Sequence, residues 1–253
     1  MSIRCILFDL DGTLLPMDQN VFLKAYFGGL AKKVAPLGFD AQELFSSIMK
    51  GTGAMIRNDG SMKNEDRFWA VMREIYGARV EEAIPCFDDF YAKEFDNVQS
   101  VCGYNPQAAE TVRELKHLGF TVALATQPAF PAVATHSRIR WAGLDASEFA
   151  HVTTFENSRF CKPSAGYYRD VSDAVGYAPE ECLMVGNDIS DDMPAATIGM
   201  KVFLLTDCLI AKEGERVEDY PHGGFDELMA YIKKLRPDAS RKDDGGGGQT
   251  VVF

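Results

Sequence analysis

The chain has 253 residues, 46% of them hydrophobic, and a formal net charge of −11. That length allows one large domain or two modest ones around a sizeable buried core. So acidic a chain lacks the cationic surface that neutralises nucleic-acid phosphates, which removes nucleic acid as an expected partner.

Residues 3–8 form an apolar run of strand length that Asp9 interrupts. This opening is too short for a secretory signal, and no later stretch approaches a membrane span, so the cytoplasm is the expected location and no membrane partner is expected. From about residue 17 to residue 101 the pattern becomes helical. Segments 20–34, 42–49, 64–76 and 79–95 carry apolar residues at intervals of three and four. An insertion of this size reads as a small helical domain rather than a loop.

Strand–helix alternation then sets in. The spacing predicts a helix over 106–118, with Asn105 as N-cap, Pro106 at the first position and Gly119 at the stop. An apolar strand over 121–125 ends at Thr126. A helix over 167–175 is capped by Ser164 and closed by Gly176, and a strand over 182–185 ends at Gly186. A helix over 192–198 is closed by Gly199, and a strand over 201–205 ends at Thr206. Near-continuous apolar strands alternating with helices predict an α/β fold, a doubly wound, Rossmann-like parallel sheet, with the helical cap domain inserted after the first strand. The expected division is a core of residues 1–16 and 102–236, a cap of residues 17–101, and a flexible tail of residues 237–253. A late strand at 251–253 is a weaker expectation for that tail.

The six cysteines, at 5, 86, 102, 161, 182 and 208, form no C-x-x-C pair and read as reduced, largely buried thiols. The four histidines lie away from the strand ends and are not expected to bind metal.

Ligands of open α/β sheets bind beyond the carboxyl ends of the strands. Those ends carry Asp9 and Asp11, Thr126, and Asp188 with Asp192, and Lys162 arrives on a loop between the second and third. Acidic side chains converging on one crevice repel each other, and a hard divalent cation relieves that repulsion; magnesium suits carboxylates, water and a phosphate oxygen. With Lys162 it would neutralise a phosphoryl group that a carboxylate could attack.

The segment Phe8-Asp9-Leu10-Asp11-Gly12-Thr13 resembles motif I, D-x-D-G-T, of the haloacid dehalogenase superfamily. Thr126 is similar to its motif II, Lys162-Pro163 to its motif III, and Gly186-Asn187-Asp188 through Asp192 to its acidic motif IV. The resemblance covers residues 3 to about 205, the cap only in position and helical character. It implies a magnesium-dependent phosphatase acting through an aspartyl-phosphate. Asp9 would be nucleophile and metal ligand. Asp11 would be general acid and then base, its backbone carbonyl also on the metal. Gly12, Thr126, Gln127 and Lys162 would bind the phosphoryl group. Having Asp11 favours phosphate esters over haloacids, because an alkoxide leaving group needs a proton and a halide does not.

Motif IV departs from the commonest form: Asn187 stands directly after the glycine, and Asp188 follows. A carboxylate binds magnesium better than an amide, so Asp188 is the expected ligand, with Asn187 and Asp192 in support and Asp191 a helix N-terminal charge. Arg57, Lys63 and Arg67 are candidates for leaving-group recognition, whereas Phe68 and Trp69 read as cap core. The expected partner is a small phosphorylated metabolite, and the chain is expected to be a monomer or homodimer. A phosphomutase, a haloacid dehalogenase and a non-catalytic binding protein on the same fold are the alternatives.

Overall fold

Residues 5–8 read Cys-Ile-Leu-Phe, and all four are buried. Such a run needs cover on both faces, and alternation supplies it: Ile6 and Phe8 enter one hydrophobic cluster, Cys5 and Leu7 another. The computed structural model describes residues 2–235. In it this strand, β1 (Cys5–Phe8), lies inside a sheet with β2 (Thr121–Leu124), β3 (Cys182–Gly186), β4 (Lys201–Leu205) and β5 (His222–Gly223). The order is β2-β1-β3-β4-β5, with every neighbouring pair parallel. The strand order reverses at β1, which makes the crevice beyond its carboxyl end the place for a ligand.

Four helices follow β1: α1 (Gln19–Val34), α2 (Ala41–Ile56), α3 (Asn64–Tyr76) and α4 (Arg79–Lys93). The first two are capped by Asp18 and Asp40, whose carboxylates accept from backbone N–H groups of the first turn. The α2 helix runs past the expected residue 49 to Ile56, through Gly51, where Phe68 of α3 packs so closely that a Cβ would lie 2.6 Å from its ring. The segment after α4 tightens into a 3-10 helix, Phe95–Val101. The apolar faces of α1–α4 are continuous with the cluster on one side of the sheet, and the Phe95 ring stacks on Trp141 at 5.2 Å.

The remaining helices are α5 (Pro106–His117), α6 (Ala132–Trp141), α7 (Ala165–Val175) and α8 (Phe225–Leu235). Polar Thr135, Ser137 and Arg138 are buried beside Ala134, Ile139 and Trp141 in α6, so this helix shows no apolar stripe to read. The helix expected over 192–198 is instead a 3-10 helix, Met193–Ile198. Pro194 brings no N–H, and Ala195 N and Gly199 N each bond three residues back, to Asp192 O and Ala196 O. The tail from residue 237, with its expected late strand, lies outside the described residues. Among the described residues no helix is long and apolar enough to cross a membrane.

Candidate active site

The ladder of the sheet carries one residue beyond β1. Asp9 N donates to Val185 O at 2.9 Å, which sets the Asp9 side chain at the crevice. The chain then turns sharply at Gly12, φ +84°, where a Cβ would lie 2.3 Å from Asn187 Nδ2. That turn brings Thr13 Oγ1 to 3.2 Å from Asp9 Oδ2 and 2.9 Å from Asn187 Oδ1. Asn187 is fixed in turn by donating to Cys208 O at 2.6 Å.

Lys162, 2% exposed, donates to Asp9 Oδ1 at 2.7 Å and to Asp192 Oδ1 at 2.6 Å. Asp192 accepts from the backbone of Asp188 through its second oxygen, at 3.0 Å. Gly186 makes this approach possible, since a Cβ there would stand 2.1 Å from the Asp192 carboxylate. Gln127 holds the Lys162 backbone from both sides, accepting from its N at 3.0 Å and donating to its O at 3.2 Å. Thr126 is buried, and its carbonyl accepts from Thr153 Oγ1 and Tyr167 Oη at 2.7 and 2.8 Å.

Two placements differ from the sequence reading. Asp191 caps no α-helix; its carboxylate accepts from Gln127 Nε2 at 3.3 Å. Asp11, which the sequence reading gave no side-chain partner, accepts from Arg138 of α6. Arg138 is fully buried. It also bonds Ala134 O and Thr135 Oγ1, and its guanidinium lies 4.4 Å from the Phe130 ring centroid. Asp11 Oδ1 is sealed from solvent with no partner. Arg138, Thr13 and Tyr167 are the residues that sequence reasoning missed. Thr13 stood inside motif I, whereas nothing in the pattern pointed to the other two.

The electrostatics follow from burial. Burial pushes the Asp9 carboxyl up to about 7 against the pull of Lys162, with Asp192 and Asp11 adding to the rise. Burial also opposes the charge on Lys162, but Asp192 and Asp9 outweigh it and hold the ammonium well above its ordinary value. Burial and the charge of Asp191 raise Asp188 to about 6, while its Oδ1 accepts from the backbone of Ser190 and Asp191. Burial raises Asp11 as well, with Arg138 pulling the other way. The crevice therefore holds more negative charge than Lys162 offsets.

Among the described residues no three His, Cys, Asp or Glu side chains are grouped to hold a metal ion. Magnesium does not need such a cage: it takes one or two carboxylates and completes its shell with water and substrate phosphate. Two carboxylates, Asp9 and Asp188, with the backbone carbonyl of Asp11 and this surplus charge, fit that ion in kind.

Beside Asp11 and Gln127 a cavity of about 480 Å³ opens between α1–α4 and the loops that flank α6. Arg57, Lys63 and Arg67 do not line it. Arg57 caps α2 from the surface and Lys63 is the residue before α3. Arg67 Nη2 lies within 3.5 Å of Asn58, Asp59 and Ser61 in its own connecting loop. The Phe68 and Trp69 rings meet edge to face with centroids 5.1 Å apart, and both reach the cavity wall as well as the core.

The α3 end of the helical insertion is fastened to the core near Lys162. Asn64, fully buried, donates to Phe160 O at 3.2 Å and accepts from Asn58 Nδ2 at 2.9 Å. The first free N–H groups of α3 go to Ser158 O and Phe155 O at 2.9 and 3.0 Å.

Comparison with known proteins agrees with this layout. The haloacid dehalogenase-like hydrolase family matches residues 3–197. The chain belongs to that family. One relative is Pyrophosphatase PpaX of Bacillus mycoides, 26% identical over 207 residues, covering 79% of this chain and 82% of the relative. Among solved structures, 2-haloacid dehalogenase from Pseudomonas syringae pv. Tomato DC3000 superposes with TM-score 0.63 at 20% identity, over 92% of this chain and all (100%) of that one. The HAD-hydrolase YfnB from Bacillus subtilis, bound to magnesium, superposes with TM-score 0.54 at 17% identity, over 92% of this chain and 99% of that one.

Proposed function

We propose that the chain is a magnesium-dependent phosphohydrolase that cleaves a small-molecule phosphate monoester through an aspartyl-phosphate at Asp9. The observation that carries this reading is the buried set Asp9–Lys162–Asp192, with Asp11 beside it at the floor of a cavity. Lys162 pulls the Asp9 carboxyl back toward its ionised form, against the burial that raises it to about 7. A phosphoryl group placed between Lys162 Nζ, Thr126 and the backbone near Gly12 and Gln127 would present its phosphorus to Asp9. The Asp9 oxygen forms the new P–O bond as the ester oxygen leaves with the proton of Asp11. Asp11, now a carboxylate, takes a proton from water, whose oxygen attacks the acyl-phosphate, releases phosphate and restores Asp9. Magnesium, held by Asp9, Asp188 and the Asp11 carbonyl, would supply charge neutralisation on the phosphoryl oxygens.

Asp11, ion-paired with Arg138 before substrate binds, suits the acid role because burial raises its pKa and so favours its taking up a proton in the closed site, and because it lines the cavity where a leaving group would sit. Arg138 would anchor one of its oxygens. Residues 17–101 would act as the cap, contributing the far wall of the cavity and excluding water. The relatives named pyrophosphatase support phosphate chemistry. A haloacid reaction would give the proton of Asp11 nothing to do.

The test is turnover of aryl and alkyl phosphates with magnesium, beside the Asp9→Asn variant. The wild type should hydrolyse at least one ester, and acid quenching with labelled substrate should leave label on the protein. Asp9→Asn should abolish both. Turnover that survives Asp9→Asn, or a broad ester panel with neither turnover nor label, overturns the proposal.

A further inference from the structure

The cavity beside Asp11 has a composition that bears on its ligand. Its walls carry Phe22, Tyr26, Trp69, Phe87, Tyr91 and Phe130. The Tyr26 and Tyr91 hydroxyls are 2.6 Å apart and one donates to the other, which uses one of the two hydroxyl hydrogens of this largely aromatic wall. The charged groups lining the cavity are all acids: Asp11 at the floor, Glu65 and Glu156 in the wall, and Asp88 at the exposed rim. Glu156 accepts from Ala132 N through one oxygen at 2.8 Å, while its other oxygen is sealed from solvent with no partner. Among the described residues no Lys, Arg or His lines the cavity. The Arg138 guanidinium, behind Asp11 and Phe130 of the lining, is spent on that carboxylate and that ring.

An anionic leaving group, such as the second phosphate of pyrophosphate or a carboxylate, would enter this space against Glu65, Asp88 and Glu156 with no cation in the lining to receive it. A ring-bearing alcohol would bury its apolar surface on the aromatic wall, and an ammonium on it would meet both the ring faces and the negative field of Glu65 and Asp88. We propose that the ester cleaved here is the phosphate monoester of a ring-bearing alcohol without negative charge, favoured further by an amine. This rests on the phosphohydrolase reading above and names the substrate class of that site.

Four compounds test it: phenyl phosphate, 4-(aminomethyl)phenyl phosphate, 4-(carboxymethyl)phenyl phosphate and inorganic pyrophosphate. The methylene insulates the ring, so the three esters differ in charge with little change in leaving-group strength. We expect kcat/KM to fall from amine to neutral to carboxylate, by about tenfold or more overall, with pyrophosphate poorest. The double variant Glu65→Gln, Asp88→Asn should compress that spread. Calorimetric binding of the free alcohols, 4-hydroxybenzylamine and 4-hydroxyphenylacetate, reads the cavity without any turnover and should favour the amine. Equal or better turnover of the carboxylate ester or of pyrophosphate overturns the inference, as does tighter binding of 4-hydroxyphenylacetate. Loss of turnover for every ester with the binding preference intact would refute the phosphohydrolase reading and support the cavity assignment.

Discussion

Replacing Arg138 with methionine tests how the proposed acid is held. The Arg138 side chain is 0% exposed and that of Asp11 20%, so the pair is shielded from water, and the second Asp11 oxygen already lacks a partner. Methionine fills similar space but leaves the carboxyl with neither oxygen bonded. Removing one member of a buried ion pair costs about 3–5 kcal/mol, because the survivor stays buried and uncompensated. At roughly 2–4 °C per kcal/mol for a chain of this size, the melting temperature should fall by about 6–20 °C. Adding Asp11→Asn to Arg138→Met should recover most of that loss, since an amide carries no charge to strand. Urea melts of the four proteins in the cycle give the coupling directly. A loss under about 1 kcal/mol for Arg138→Met, or single losses that simply add in the double variant, would refute the claim that the pair acts as one unit.

Asp192→Asn removes one of the two carboxylates that hold Lys162, so kcat should drop roughly 10- to 100-fold with KM little changed. A larger change in KM than in kcat would argue against a positioning role. Gly12→Ala would force a side chain into the left-handed region and against a buried Asn187; chemical denaturation should show a loss of about 1–3 kcal/mol. Chelation should abolish turnover, and magnesium should restore it where calcium restores little, because calcium seeks more oxygen ligands than this crevice provides. Undiminished activity in thoroughly chelated protein would remove the metal from the mechanism.

Strands β1 to β4 were legible from the chain because they are short and apolar at nearly every position, which only two-sided burial explains, whereas the two-residue β5, polar at His222, was not. The polar residue at each strand end was legible for the same reason: where the apolar run stops, the crevice begins. Helix limits at Asn105, Ser164 and Gly176 could be read from capping chemistry, which is local. The amphipathic pattern of α8, with Phe225, Leu228, Met229 and Ile232 buried, was equally local, though the sequence reading left it unassigned. What could not be read depended on partners distant along the chain. Arg138 sits 127 positions from Asp11, in a helix whose buried polar residues hide its periodicity, so nothing near it signals the pairing. Arg57, Lys63 and Arg67 were candidates for leaving-group recognition, yet folding kept all three off the cavity and lined it with rings and acids. Sequence by itself determined the sheet, its order of motifs and the residues at its rim, because local pattern and spacing encode them. Only the tertiary structure decided which charges meet and which face the cavity, because those pairings are made by packing between segments that never adjoin in the chain.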